Sequence, residues 1–125
     1  KILVIEDEPT VHRSIVDELS NDGFSMLSAI DGVAGLEIAL TEHPDVILLD
    51  IMLPKMNGLE VLKQLRADSW GKQVPVILLT ALEADDKIMQ SVMETTPSFY
   101  LLKKNWNLLD LSQKVKECLH MEQVD

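Results

Sequence analysis

The sequence predicts an α/β domain in which a five-stranded parallel sheet, in the order 2-1-3-4-5, is doubly wound by helices. Two observations carry this. Five short apolar runs recur along the chain, and three of them are almost continuously apolar, as strands buried on both faces are. Between the runs, apolar residues change to a spacing of three or four, the period of a helix with one buried stripe. Strand and helix therefore alternate throughout. Right-handed crossovers between parallel strands then leave helices on both faces of the sheet.

The elements follow in order. Ile2-Leu3-Val4-Ile5 is the first strand, and Pro9 suits the first turn of a helix whose stripe is Val11, Ile15 and Leu19. Phe24-Ser25-Met26-Leu27-Ser28-Ala29 is the second strand. Asp31 can cap the next helix, where Leu36 and Leu40 lie four apart. Val46-Ile47-Leu48-Leu49 is the third strand, and Asn57 can cap a helix carrying Leu59, Leu62 and Leu65. The fourth strand is Val74-Pro75-Val76-Ile77-Leu78-Leu79, with Pro75 tolerated at its start, where no ladder donor is yet needed. Ile88 and Val92 mark a fourth helix, with Met89 and Met93 as packing residues. Phe99-Tyr100-Leu101-Leu102 is the fifth strand. Asn107 with Asp110 forms a capping box ahead of a fifth helix striped by Leu111, Val115 and Leu119.

The 125 residues make one domain, spanning 1–125, large enough to fold without disulfides or a structural metal. A hydrophobic share of 46% argues against disorder. The 21 acidic and 11 basic residues give a net charge of −10, which repels phosphate backbones and anionic lipid and so disfavours direct nucleic-acid or membrane binding. Cys118 is the lone cysteine, excluding an internal disulfide or thiolate cluster and suiting a cytoplasmic protein. No stretch reaches the roughly 20 apolar residues of a membrane span, and no secretory signal opens the chain. A start at Lys1 suggests a piece of something longer. His12, His43 and His120 are too scattered for a transition-metal site and receive no role; Trp70 and Trp106 are expected as partly exposed packing groups.

Doubly wound sheets bind ligands beyond the carboxyl ends of their strands, near the switch in strand order. The first strand runs into Glu6-Asp7-Glu8, the third into Asp50, the fourth into Thr80-Ala81 and the fifth into Lys103. Strands 1 and 3 are neighbours in the predicted order, so Asp7 and Asp50 should lie side by side. A divalent cation relieves the repulsion of two such carboxylates, and Mg2+ suits an all-oxygen site that keeps several waters. Met52, two residues beyond Asp50, is placed to add a backbone carbonyl. Asp50 can serve as nucleophile toward a phosphoryl group, with the Lys103 ammonium and Thr80 hydroxyl stabilising charge on the transferring oxygens. Each of these residues alone has a structural explanation; convergence at four strand ends does not.

At this point the residues resemble a known family. The opening Ile2-Leu3-Val4-Ile5-Glu6-Asp7-Glu8-Pro9 resembles that of a receiver domain of two-component response regulators, the CheY-like superfamily. So does the stretch from Pro44-Asp45 through Asp50-Ile51-Met52-Leu53-Pro54 to Asn57-Gly58, which is similar to the family's phosphoacceptor segment. Pro75-Val76-Ile77-Leu78-Leu79-Thr80-Ala81 resembles its fourth strand with a switch Thr, and Tyr100-Leu101-Leu102-Lys103 its switch aromatic and the Lys that follows at a fixed interval. The resemblance runs from Lys1 to about Leu119. It implies that Asp50 is phosphorylated by a histidine kinase or histidine phosphotransfer protein, with Mg2+ bound by Asp7 directly and by Glu6 through water. It further implies that Thr80 moves to the phosphoryl group while Tyr100 turns inward, reshaping the face of the fourth helix, fifth strand and fifth helix. That face would engage a downstream protein, a lost effector domain or a second copy in a homodimer. Such a domain is not an enzyme of steady turnover, although it assists its own phosphorylation and dephosphorylation.

Two features depart from the family pattern. Lys104 stands where a Pro usually follows the Lys, so a trans peptide and a re-routed loop are expected, a non-Pro cis bond costing roughly 3 kcal/mol. Glu94-Thr95-Thr96-Pro97-Ser98 replaces a small-residue turn, and Pro97 should end the fourth helix early. Lys103-Lys104-Asn105-Trp106 resembles some stand-alone receivers. Three rivals fit less well. A phosphatase on a related fold usually carries a second Asp where Met52 stands. A binding-only pseudo-receiver would not need Asp7, Asp50, Thr80 and Lys103 together. A flavodoxin-like cofactor protein would need a Gly-rich loop after the first strand.

Overall fold

The structure is a computed structural model that describes residues 1–80, 99–102 and 107–123, with side chains for 1–79 and 107–119. Element order is β1 (Ile2–Ile5), α1 (Pro9–Asn21), β2 (Met26–Ala29), α2 (Gly32–Glu42), β3 (Val46–Asp50), α3 (Gly58–Ala67), β4 (Val76–Thr80), β5 (Phe99–Leu102) and a C-terminal helix (Leu108–Gln123). All strand pairings are parallel: β1 lies between β2 and β3, β4 beside β3, and β5 beside β4. The expected parallel α/β architecture is present. Ile88, Val92, Met89, Met93, Pro97, the Lys103–Lys104 bond and Trp106 lie outside the described residues, and with them the fourth helix and the loop before the last one.

Side chains alternate along each strand, so one sheet builds two cores. Leu3, Ile5, Ile47, Leu49, Val76 and Leu78 face α2 and α3 and meet Leu36, Ala39, Val61, Leu62 and Leu65. Ile2, Val4, Val46, Leu48, Ile77 and Leu79 face the opposite way, onto Ile15 and Leu19 of α1 and Leu111, Val115 and Cys118 of the C-terminal helix. This two-sided burial explains why β1 carries no polar residue and β3 none before Asp50 at its end. Both are buried from end to end.

The expected caps are in place. Asp31 Oδ1 accepts from Ala34 N (2.7 Å) and Asn57 Oδ1 from Glu60 N (2.9 Å). The Asn107 box is reciprocal: Asp110 N donates to Asn107 Oδ1 (2.9 Å) and Asn107 N to Asp110 Oδ2 (3.2 Å). Pro9 opens α1. Three expectations need correction. β2 begins at Met26 rather than Phe24, and β4 at Val76 rather than Val74. Pro75 has no N–H to give, yet its carbonyl still accepts from Ile47 N (3.0 Å), so it delivers the chain to the sheet without being a strand residue. Leu40 is exposed, because α2 approaches the sheet through Gly35 and Ala39 beside Leu36 and turns Leu40 away.

Side-chain contacts hold the periphery. Trp70, partly buried as expected, stacks on His43 with ring centroids 4.3 Å apart, so His43 does have a structural place. Arg66 Nη1 donates to the carbonyls of Gly71 (2.7 Å) and Val74 (2.8 Å), steering the chain from α3 into β4, and burial lowers the guanidinium's pKa from its ordinary value. Buried Ser112 donates its hydroxyl to the Asp22 carboxylate, joining the C-terminal helix to the end of α1. A hydrogen bond to a charged acceptor contributes about 1.5–3 kcal/mol. The Asp22 side chain is 27% exposed, so water can replace part of this, and Ser112→Ala is expected to cost about 1–2 kcal/mol in urea denaturation; an unchanged midpoint would show the tie to be idle.

Candidate functional site

The carboxyl ends of β1 and β3 lie side by side at the centre of the sheet. Ile5 pairs with Leu49, and the register carried one step further sets Glu6 level with Asp50. Glu6 and Asp50 are buried, at 1% and 3% exposure, whereas Asp7 stands exposed at the rim. The sequence expectation that Asp7 is the lateral neighbour of Asp50 is thus refined: Glu6 holds that register position and Asp7 reaches in from the following loop. One carboxylate oxygen from each of Glu6, Asp7 and Asp50 falls within 4.8 Å of the other two. In an octahedral Mg2+ shell, adjacent oxygens are about 3 Å apart and opposite ones about 4.2 Å. Three hard carboxylate donors this close together fit such a cation, held directly or through one of its waters.

Backbone geometry fixes Asp50 at the strand end. Ile51 N donates to Leu79 O (3.2 Å), extending the ladder one residue past Asp50, and Met52 N then turns to donate to Asp50 Oδ1 (3.2 Å). Met52 is 57% exposed, so the chain has left the core within two residues of the carboxylate. The loop from 51 to 57 closes on itself through Leu53 N to Ile51 O (3.1 Å), Met56 N to Pro54 O (2.8 Å) and Gly58 N to Ile51 O (2.8 Å). Lys55 takes a positive φ of 67° in this turn. Gly32, at the start of α2, packs so closely on the loop that an added Cβ would lie 1.9 Å from the Met56 carbonyl oxygen.

The loop after β1 is equally tied. Glu6 N donates to Ala29 O of β2 (3.1 Å), and Asp7 N to the Glu6 carboxylate Oε2 (3.0 Å). His12, in the first turns of α1, places Nδ1 2.8 Å from the Glu6 carbonyl oxygen. A carbonyl only accepts, so Nδ1 carries the proton of this bond. Glu8 caps α1, its carboxylate accepting from Thr10 N (3.3 Å) and Val11 N (3.0 Å). The acidic triplet therefore splits into two cluster residues and one helix cap.

Thr80 ends β4 opposite Leu102, and Tyr100 lies in β5 opposite Leu78; both strands reach the same edge as Asp50. The side chains of Thr80 and Tyr100, and all of Lys103, lie outside the described residues. Sequence reasoning missed His12 and Glu8. The signal was present: side chains in a helix's first turns lean toward its N-terminus, so a donor there can reach the end of the preceding strand. The residue ahead of Pro9 at the first helical position is likewise where a cap belongs.

The chain matches the response regulator receiver domain over residues 2–116. It is 39% identical over 89 residues to the DNA-binding dual master transcriptional regulator RpaA of Synechocystis sp., covering 70% of this chain and 37% of that protein. To the alkaline phosphatase synthesis transcriptional regulatory protein PhoP of Bacillus subtilis it is 34% identical over 125 residues, covering 99% of this chain and 50% of that protein. The chain spans 35% to 50% of the length of such curated relatives. Among solved structures, the receiver domain of the Francisella response regulator 1452 gives a TM-score of 0.87 at 26% identity, covering 97% of both chains. The receiver domain of the sensor histidine kinase PA1611 of Pseudomonas aeruginosa, solved with magnesium coordinated in its active-site cleft, gives 0.84 at 27% identity, covering 95% of this chain and 96% of that one. No helix among the described residues is long and apolar enough to cross a membrane. A family match over nearly the whole length, on a fold shared end to end with solved receivers, leaves one conclusion: this chain belongs to the response regulator receiver domain family.

Proposed function

We propose that Asp50 accepts a phosphoryl group from a phosphohistidine of a sensor histidine kinase or phosphotransfer protein. The observation that supports this most directly is the oxygen cluster of Glu6, Asp7 and Asp50 at the ends of two adjacent central strands. A carboxylate oxygen of Asp50 attacks phosphorus, forming the acyl phosphate. The bond from phosphorus to the donor's imidazole nitrogen breaks, and the imidazole leaves with its electron pair. An ionised carboxylate needs no general base. Hydrolysis reverses the modification when water attacks phosphorus, the acyl oxygen departs and inorganic phosphate is released.

In this reading Asp7 and Asp50 bind Mg2+ directly, Met52 adds its backbone carbonyl, and Glu6 contributes through water. When bound, Mg2+ neutralises charge among the carboxylates and on the phosphoryl oxygens. Glu6 Oε2 accepts from Asp7 N, which fixes the Glu6 carboxylate beside the site, where a water on the cation could reach it. Lys103 supplies a point charge and Thr80 a hydroxyl to the phosphoryl oxygens. Thr80 and Tyr100 then act as the switch that reshapes the face of the fourth helix, β5 and the C-terminal helix on the full (βα)5 fold. That face engages a downstream protein, an effector domain or a second copy, and the protein works in the cytoplasm as a self-assisting phosphoacceptor rather than a turnover enzyme.

Intact-protein mass after incubation with acetyl phosphate and Mg2+ tests this. The expected result is one phosphoryl adduct, dependent on Mg2+ and absent from Asp50→Ala. An adduct that survives in the variant, or forms equally in a chelator, overturns the assignment. Beryllofluoride binding separates a short-lived adduct from a domain that never accepts one.

A further inference from the structure

We infer that His12 is a positioning residue for the cation-binding loop, fixing Asp7 by holding the peptide group that joins it to Glu6. The inference rests on the reading of Glu6, Asp7 and Asp50 as the Mg2+ site. That peptide is gripped on both sides. Its N–H donates to Glu6 Oε2 (3.0 Å), and its carbonyl accepts from His12 Nδ1 (2.8 Å). The preceding N–H is fixed by Ala29 O (3.1 Å), so the chain is anchored by β2 on one side and α1 on the other just where it leaves the sheet.

The anchorage matters because Asp7 is the exposed member of the cluster, with no burial of its own to choose its direction. Beyond β1 the ladder has ended, and rotation of the Glu6–Asp7 peptide would swing the Asp7 carboxylate away from Asp50. His12 opposes that rotation from a rigid base. Its own N–H donates to Glu8 O (2.9 Å) inside α1, and Glu8 caps the same helix through Thr10 N and Val11 N. The imidazole is half-buried between helix and strand end, so the donor costs little further ordering on binding. Outer-shell groups that orient a metal ligand typically change affinity by about 10- to 100-fold when removed. His12 acts through the backbone rather than on the carboxylate itself, which places it at the lower end.

The test compares Mg2+ affinity, by calorimetry and by competition with Mn2+ followed by electron paramagnetic resonance, in wild type, His12→Leu and His12→Asn. Asn presents an amide donor near the place of Nδ1; Leu fills the space without one. Expected is an about 10-fold weaker Mg2+ affinity in His12→Leu and one within about threefold of wild type in His12→Asn. Phosphorylation by acetyl phosphate should fall in His12→Leu at limiting Mg2+ and recover at saturating Mg2+, a pattern that general destabilisation does not produce. Wild-type affinity in His12→Leu, or equal weakening in both variants, overturns the inference. Should His12→Leu fail to fold, His12→Gln replaces it, because its amide sits one bond further out, at the reach of Nε2, and is expected to weaken binding. The wild-type arm tests the site itself: no Mg2+ binding there removes the cation reading and His12's role together, whereas tight wild-type binding leaves the variants to decide on His12 alone.

Discussion

Gly58→Ala is expected to lower stability by about 2 kcal/mol and to weaken phosphoryl acceptance at the same time. A Cβ at Gly58 would lie 2.1 Å from the Asp50 carbonyl oxygen and 2.8 Å from the Ile51 Cα, both backbone atoms that cannot swing aside. Relief requires α3 to lift from the strand end, breaking the Gly58 N to Ile51 O bond (2.8 Å), or Asp50 to turn. Either motion disturbs the Met52 N–H that holds Asp50 Oδ1. Two effects compete here. Ala favours a helix by about 1 kcal/mol over Gly, while overpacking costs about 1–3 kcal/mol. Contact with backbone at this range argues for the upper end of the penalty, so the net sign is destabilising. In a domain of this size the melting temperature should drop by roughly 6–10 °C. Thermal denaturation read beside the acetyl phosphate adduct checks both effects, and a neutral or stabilised variant would show that the α3 N-terminus yields without moving Asp50.

Mg2+ should stabilise the wild-type fold by about 2.7 kcal/mol at a concentration 100 times its Kd, and Asp7→Asn should abolish that gain. Three carboxylates whose oxygens lie within 4.8 Å of one another repel. The exposed position of Asp7 lets solvent screen much of this, leaving a small penalty in the metal-free protein. Removing the Asp7 charge relieves the penalty, so Asp7→Asn is expected to be slightly more stable than wild type in a chelator and less stable than wild type in excess Mg2+. Urea denaturation under the two conditions reads the crossing directly. Equal stabilisation of both proteins by Mg2+ would place the cation elsewhere.

Much of the cluster is legible in the amino-acid pattern because strand ends can be found from composition. Val46-Ile47-Leu48-Leu49 cannot continue into Asp50 and remain a buried strand for long, so Asp50 has to mark an edge, and the same holds where Ile5 meets Glu6. Caps are readable at Asp31, Asn57 and Asn107, because a short polar side chain ahead of helical spacing has few other uses. The start of β2 is not, since Phe24 and Met26 satisfy the same apolar pattern and only pairing with β1 selects Met26. Leu40 misleads for a related reason: α2 is apolar around most of its circumference, so spacing alone does not say which side meets the sheet.

Local pattern suffices for the alternation of strand and helix, the two-sided burial of the central strands and the identity of the acidic residues at their ends. Each of these depends on period 2 against 3.6, and on where an apolar run stops. Three-dimensional packing selects which acid stands level with Asp50, and decides for Glu8 between the two places its sequence position allows, the helix cap and the cluster. It also brings His12 to the end of β1 and requires Gly58 to lack a side chain. All four follow from strand register, or from the approach of one backbone to another element. A one-residue difference in register or an ångström in approach leaves the hydrophobic pattern unchanged, while the geometry of three carboxylates is altered by either.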